Sequence, residues 1–273
     1  MKKKLNVRSL LAISLSLSVI FAGVSCDKEN QDQAPELPPV ESLVMDFSDF
    51  SQQPGGKKST SASYFNFFHS YFSVLFWSGV TTVYIVPPII VYSYSLQQTP
   101  VYLGDNTWEW AYSAGWGNDS ILVSLTGARI NNEEFSMEMN IASAETPEVE
   151  VKWFDGIVRY DHTHAEWNFY KNGSVKMIEA EWNKDFETEE ADLTYTYTEE
   201  GNAEDGSYIK LAHAPTEVYD ASYTISLAEG VTSIEWNTTT KEGRVMDEGK
   251  FGDTEWHCWD SHANGLVDKT CSE

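Results

Sequence analysis

From Thr107 to the C-terminus, apolar residues recur at every second position in short runs separated by turn signals. "TWEWAYS" sets Trp108, Trp110 and Tyr112 on one side. "SILVSLTG" does the same with Ile121, Val123 and Leu125, and "EFSMEMNIA" with Phe135, Met137, Met139 and Ile141, against Glu134 and Glu138 on the other. Successive strand residues point to opposite faces, so strict alternation marks half-buried antiparallel strands. Asn172-Gly173 is the strongest hairpin turn, and Asp205-Gly206, Glu229-Gly230 and Glu242-Gly243 are weaker versions. About ten such runs at the 8–12-residue spacing of sandwiches and barrels predict a mainly-β fold. We expect an antiparallel meander, half-barrel or barrel-like. Five Glu-Trp dipeptides (at Trp110, Trp167, Trp182, Trp236 and Trp256) have no fixed spacing. They read as strand chemistry, an indole inward and a carboxylate outward, not as a repeat array.

A second feature precedes the strands. Between Ser59 and Gly104 there is no Asp, Glu, Lys or Arg, and His69 is the one imidazole. Pro87-Pro88 interrupts any continuous helix there. The longest unbroken apolar piece, Phe72 to Val86, falls short of the roughly 20 residues of a comfortable membrane span. The reading is a helical insert over about 62–98: one helix near 62–78 and a second from Pro87 or Pro88, where proline suits a first turn. "VTTVYIV" between them carries strand propensity. An insert this apolar must be hidden from water, and the concave face of a curved sheet is one place to hide it. Phe68, Phe72, Phe76, Trp77, Trp108 and Trp110 are the candidates to line an apolar ligand cavity between sheet and insert.

The front end is of another kind. MKKKLNVR is basic, and residues 10–25 are apolar or small throughout, the pattern of an export signal. Ser25-Cys26, where the apolar run stops and "CDKEN" begins, resembles the lipobox of bacterial lipoproteins of the Bacteroidota type, with Gly23 where leucine is usual. That resemblance implies cleavage before Cys26, acylation of its sulfur, and residence at the outer membrane or cell surface. Three acyl chains exceed the two signals needed for stable attachment. An ordinary secreted protein with a spare cysteine is the other reading. Residues 26–61, rich in Gln, Glu, Pro, Gly, Lys and Ser, have tether composition, interrupted by "LVMDFSDF", a short strand or docking segment. A single β-rich domain, 62–273, follows.

Loss of residues 1–25 leaves 14 Lys+Arg against 42 Asp+Glu, a net charge of −28. Such a field repels nucleic acids and anionic headgroups. Cys258 and Cys271 then form an even pair in an exported domain, which reads as a disulfide. A metal site from His257, Cys258, His262 and Cys271 is the competing reading, without zinc-finger spacing. His162, His164 and Glu166 share a strand face and are a second metal candidate. Asp185, Glu187 and Glu189 supply paired carboxylates, which a glycosidase needs facing one another across a cleft. No nucleophile elbow, phosphate loop or dinucleotide fingerprint is present.

Anchor, tether, apolar insert and meander together are similar in architecture to the half-barrel lipoprotein carriers of the Lol family and to lipocalin-like barrels. The similarity covers about 62–273 and rests on no shared motif, so no residue roles carry over. It implies an apolar cavity plugged by helices. The expected function is that of a non-catalytic, lipid-anchored envelope protein taking an acyl chain or other apolar ligand, with no cofactor and no metal. The alternative is a surface structural lipoprotein contacting a glycan or envelope protein, with a filled core and exposed Trp.

Overall fold

The computed structural model describes residues 33–50, 63–117 and 119–271. The signal segment and Cys26 lie outside them. Two helices come first, α1 (Phe65–Tyr84) and α2 (Val86–Ser95). The strands follow: β1 (Val101–Gly104), β2 (Thr107–Trp116), β3 (Asp119–Arg129), β4 (Glu134–Ser143), β5 (Thr146–Arg159), β6 (His164–Lys171) and β7 (Val175–Lys184). Then come β8 (Ala191–Tyr197), β9 (Tyr208–His213), β10 (Ala221–Leu227), β11 (Gly230–Trp236), β12 (Gly243–Met246), the one-turn α3 (Glu248–Phe251), β13 (His257–Trp259) and β14 (Asp268–Lys269).

These 14 strands form one antiparallel sheet in strict chain order. Each strand pairs with its sequence neighbours, because each connection is short enough to fold straight back. The sheet is open, with β1 and β14 at its edges. Beyond the expected ten are the short edge pieces β1 and β14, too brief to show alternation, and the long β5, whose first half has no buried residue to mark a face.

Register aligns the alternation across the sheet. Trp110, Leu125, Met139, Phe154, Phe169, Ile178 and Tyr197 are successive cross-strand partners, and all are buried. The neighbouring row, Glu138, Asp155, Asn168, Glu179 and Thr196, faces the other way. One face is therefore core and the other polar, the usual economy of an antiparallel sheet. Asn172 and Gly173 both take positive φ, 53° and 77°, as the β6–β7 turn requires. Glu242-Gly243 is not a turn: Gly243 opens β12, where Trp259 lies over its backbone.

The tether reading needs correcting over residues 34–50. This strap lies on the core face, with Leu43, Met45 and Phe50 buried. Its Pro-rich backbone makes no ladder, so sheet side chains satisfy it instead. Trp167 Nε1 donates to the Ser42 carbonyl (3.0 Å) and Tyr223 Oη to that of Asp46 (2.6 Å). Tyr195 Oη donates to the Leu43 carbonyl and accepts from Met45 N, both at 2.8 Å. Trp236 Nε1 reaches the Asp49 carboxylate at 2.7 Å. The buried apolar residues are those of "LVMDFSDF", the stretch read as a short strand or docking segment; it docks, and residues 34–42 are where the tether composition misleads.

Cys258 and Cys271 are disulfide-bonded, with Cα atoms 5.2 Å apart. The bridge ties β14 to β13, and β14 holds the start of α1. Asp268 accepts from the backbone N–H groups of Phe65 (3.0 Å) and Asn66 (2.9 Å), capping a helix whose own Tyr64 supplies no side-chain cap. We expect replacement of both cysteines by serine to cost roughly 2–3 kcal/mol, given the short loop closed. Hydrogen exchange should rise first in the opening turn of α1. Unchanged protection there would separate the bridge from the helix cap.

Candidate functional site

The insert is the feature that an ordinary soluble β-protein would not need. Asn66, Phe67, Val74, Trp77 and Thr81 of α1 face the sheet and are buried. At its start, Asn66 Nδ2 donates to the Cys258 carbonyl (2.8 Å) and Phe67 meets Trp259 edge-on. At the far end, Tyr112 of β2 donates to the Val91 carbonyl (2.5 Å) and shares a hydrogen bond with Ser95. The insert thus reaches from the last strands to β2. Tyr92 Oη donates to the Pro38 carbonyl (2.6 Å), joining α2 to the strap.

α1 runs to Tyr84, past the expected end near 78, because burial of Thr81 and Ile85 against the fold overrides the strand propensity of "VTTVYIV". Pro87 and Pro88 sit in the first turn of α2, as expected. The two helices bend by 52° at the break. No single described helix is long and apolar enough to cross a membrane, whereas the bent pair together has the length and composition.

The outward face is apolar as well. Phe72 is 58% exposed and Val83 61%, and Leu75, Phe76, Ile90 and Tyr94 join them. Residues 65, 72, 76 and 83 recur on one helical face. A water-facing helix normally turns its polar residues outward; here four of the six buried polar residues of the described chain, Asn66, Ser70, Thr81 and Ser95, belong to the insert. Both sides of the insert are therefore largely apolar.

The six candidate ligand-lining residues separate. Trp77, Trp108 and Trp110 are buried in the core. Phe72 and Phe76 are on the outer face of α1, and half-buried Phe68 stacks on Phe72. They do not line one space. Between sheet and insert the volume is taken up by Trp77, Tyr92, Phe154, Trp167 and the strap's Phe50, in edge-on and stacked contacts. An apolar opening among the described residues is a surface groove of about 300 Å³, lined by Val44, Trp182, Phe186, Leu193 and Leu211 beside Asp46 and His213.

The remaining constellations resolve into structure. His162 is in a turn with φ 53° and contacts the Glu36 carbonyl, while His164 pairs with Asn183. Among the described residues, no three His, Cys, Asp or Glu side chains converge as a metal set. Asp185 accepts from the N–H groups of Glu187 and Thr188 and closes its own turn, which holds its carboxyl below the usual range. His69 Nε2 meets Asp247 at 2.7 Å, with Thr232 on the same carboxylate oxygen. Burial pushes Asp247 up, but Thr232, His69 and the Lys250 N–H outweigh it and hold it low. This cluster lines a shallow opening with Ser73 and Lys250 and clamps α1 to β11.

On the polar face, Lys152 bridges Glu138 (2.6 Å) and Asp155 (2.9 Å), and Tyr170 and Asn168 also donate to Asp155. Partial burial raises Asp155, yet these donors leave it below the ordinary carboxylate range. Burial first, then the Asp155 contact, pushes the Tyr170 phenol up to about 12. These contacts tie β4, β5 and β6 together across the polar face.

No protein-family model matches this chain, and neither a curated protein nor a solved structure is found to be similar to it.

Proposed function

We propose that the chain is a non-catalytic, lipid-anchored envelope protein at the outer membrane or cell surface, acting through its outer surface with a filled core. The observation that carries this is the exposed, charge-free face of α1 and α2 on a body of net charge −28. An apolar face kept on so acidic a protein is a contact surface. The expected apolar-ligand role is left with the groove beside Trp182 and Phe186. Glycan stacking has less support, since Trp108 and Trp110 are buried in the core.

Metabolic labelling with a palmitate analogue should mark the full chain and not its Cys26→Ser variant. Equal labelling of both would remove the anchor. Native mass spectrometry of the mature chain should give the bare mass less two hydrogens. A reproducible extra mass, released on denaturation, would instead restore the apolar-ligand reading.

A further inference from the structure

We propose that the outer face of α1 and α2 lies in the surface of a lipid bilayer. Phe72, Phe76 and Val83 on α1 and Ile90 on α2 are all exposed. Every residue from Ser59 to Gly104 lacks a formal charge. Charged groups stand at the start of α1, where Asp268 caps it and Lys250 stands 5.2 Å over the Phe65 ring. That distribution suits an element lying in the interface, its polar end at headgroup depth and its apolar length in the acyl boundary.

Two observations choose a bilayer over a second copy of the chain. Pairing two copies through this face would bring together two bodies of net charge −24, or −28 each after loss of residues 1–25, whereas an uncharged acyl layer opposes no charge. The strap also packs under α2, where buried Tyr92 donates to the Pro38 carbonyl. From Cys26 to Ala34 the chain spans at most about 29 Å. An anchor at Cys26 therefore holds α2 close to the membrane and raises its effective concentration there. This last step rests on the anchor reading; the composition of the face does not.

The test uses the mature chain with Cys26→Ser, so that no acyl group contributes, floated with phosphatidylcholine vesicles. The protein should rise with the vesicles, and more weakly as anionic lipid is added. Phe72→Glu with Val83→Glu should lower the floated fraction at least tenfold, with the melting temperature held, since both side chains point out of the core. Val218→Glu, in an exposed loop of the described chain, should float normally. Protein left at the bottom of the gradient overturns the proposal. So does a concentration-dependent dimer that the double variant abolishes, without flotation, which would make the occupant a second copy. If palmitate labelling fails while flotation persists, the docking face stands without the anchor. If labelling succeeds and flotation fails, docking alone falls.

Discussion

A mature chain shortened to begin at Ser51 will not fold. The deletion removes Leu43, Met45 and Phe50, all buried in the core, and each such side chain contributes about 1.5–3 kcal/mol. Phe50 also stacks on Phe67 at 5.7 Å and meets Trp236 edge-on at 5.0 Å. The loss does not end with contacts. Trp167, Tyr195, Tyr223 and Trp236 all hydrogen-bond to the strap, and an unpaired buried donor costs about 1–3 kcal/mol. Together these come to about 8–21 kcal/mol, as large as the roughly 5–15 kcal/mol that holds a domain together. The expected readout is loss of the near-UV circular dichroism and of a cooperative urea transition. Leu43→Ala alone should cost about 2–5 kcal/mol and keep the transition. A truncated chain melting within a few degrees of the parent would show that the strap is accessory.

Why the strap was hard to see bears on what else the sequence holds. Strand alternation is a local signal with its phase written in, and Glu beside Trp fixes that phase at Trp110, Trp167, Trp182 and Trp236, all buried. Trp256 departs from it: it precedes β13, with Arg244 over its ring at 4.3 Å. Gly104, Asp105 and Asn106, all at positive φ, turn β1 into β2. The strap has no period, because its partners are side chains more than 120 residues away. In α1 the difficulty differs. Helical periodicity locates a buried face through contrast with a polar one, and α1 is apolar on both. Nothing in its sequence could tell Trp77, fully buried, from Phe76, its exposed neighbour. Grouping both with Trp108 and Trp110 as one cavity lining followed from that missing contrast.

Where the sheet meets the strap, one residue without a side chain is decisive. Gly156 of β5 is the register partner of Trp167, and a Cβ there would overlap the Trp167 ring and the Glu166 carbonyl oxygen. Gly156 does not take positive φ, so alanine is tolerated by the backbone, and the smaller entropy of its unfolded chain favours it by about 0.4–1 kcal/mol. Sterics win here because neither neighbour can yield. The carbonyl belongs to the β6 backbone that pairs with β5, and the indole is fixed by its 3.0 Å bond to Ser42. Overpacking of such a site reaches the upper end of its usual range, so Gly156→Ala should cost about 3–4 kcal/mol. Gly79→Ala supplies the opposite sign: that helical position has open space around it, and alanine should stabilise α1 by up to about 1 kcal/mol. Urea unfolding of the two variants side by side measures both. Equal stability of Gly156→Ala and the parent would mean that Trp167 can leave its place over the β5 backbone, and the coupling of sheet to strap through that indole would fall with it.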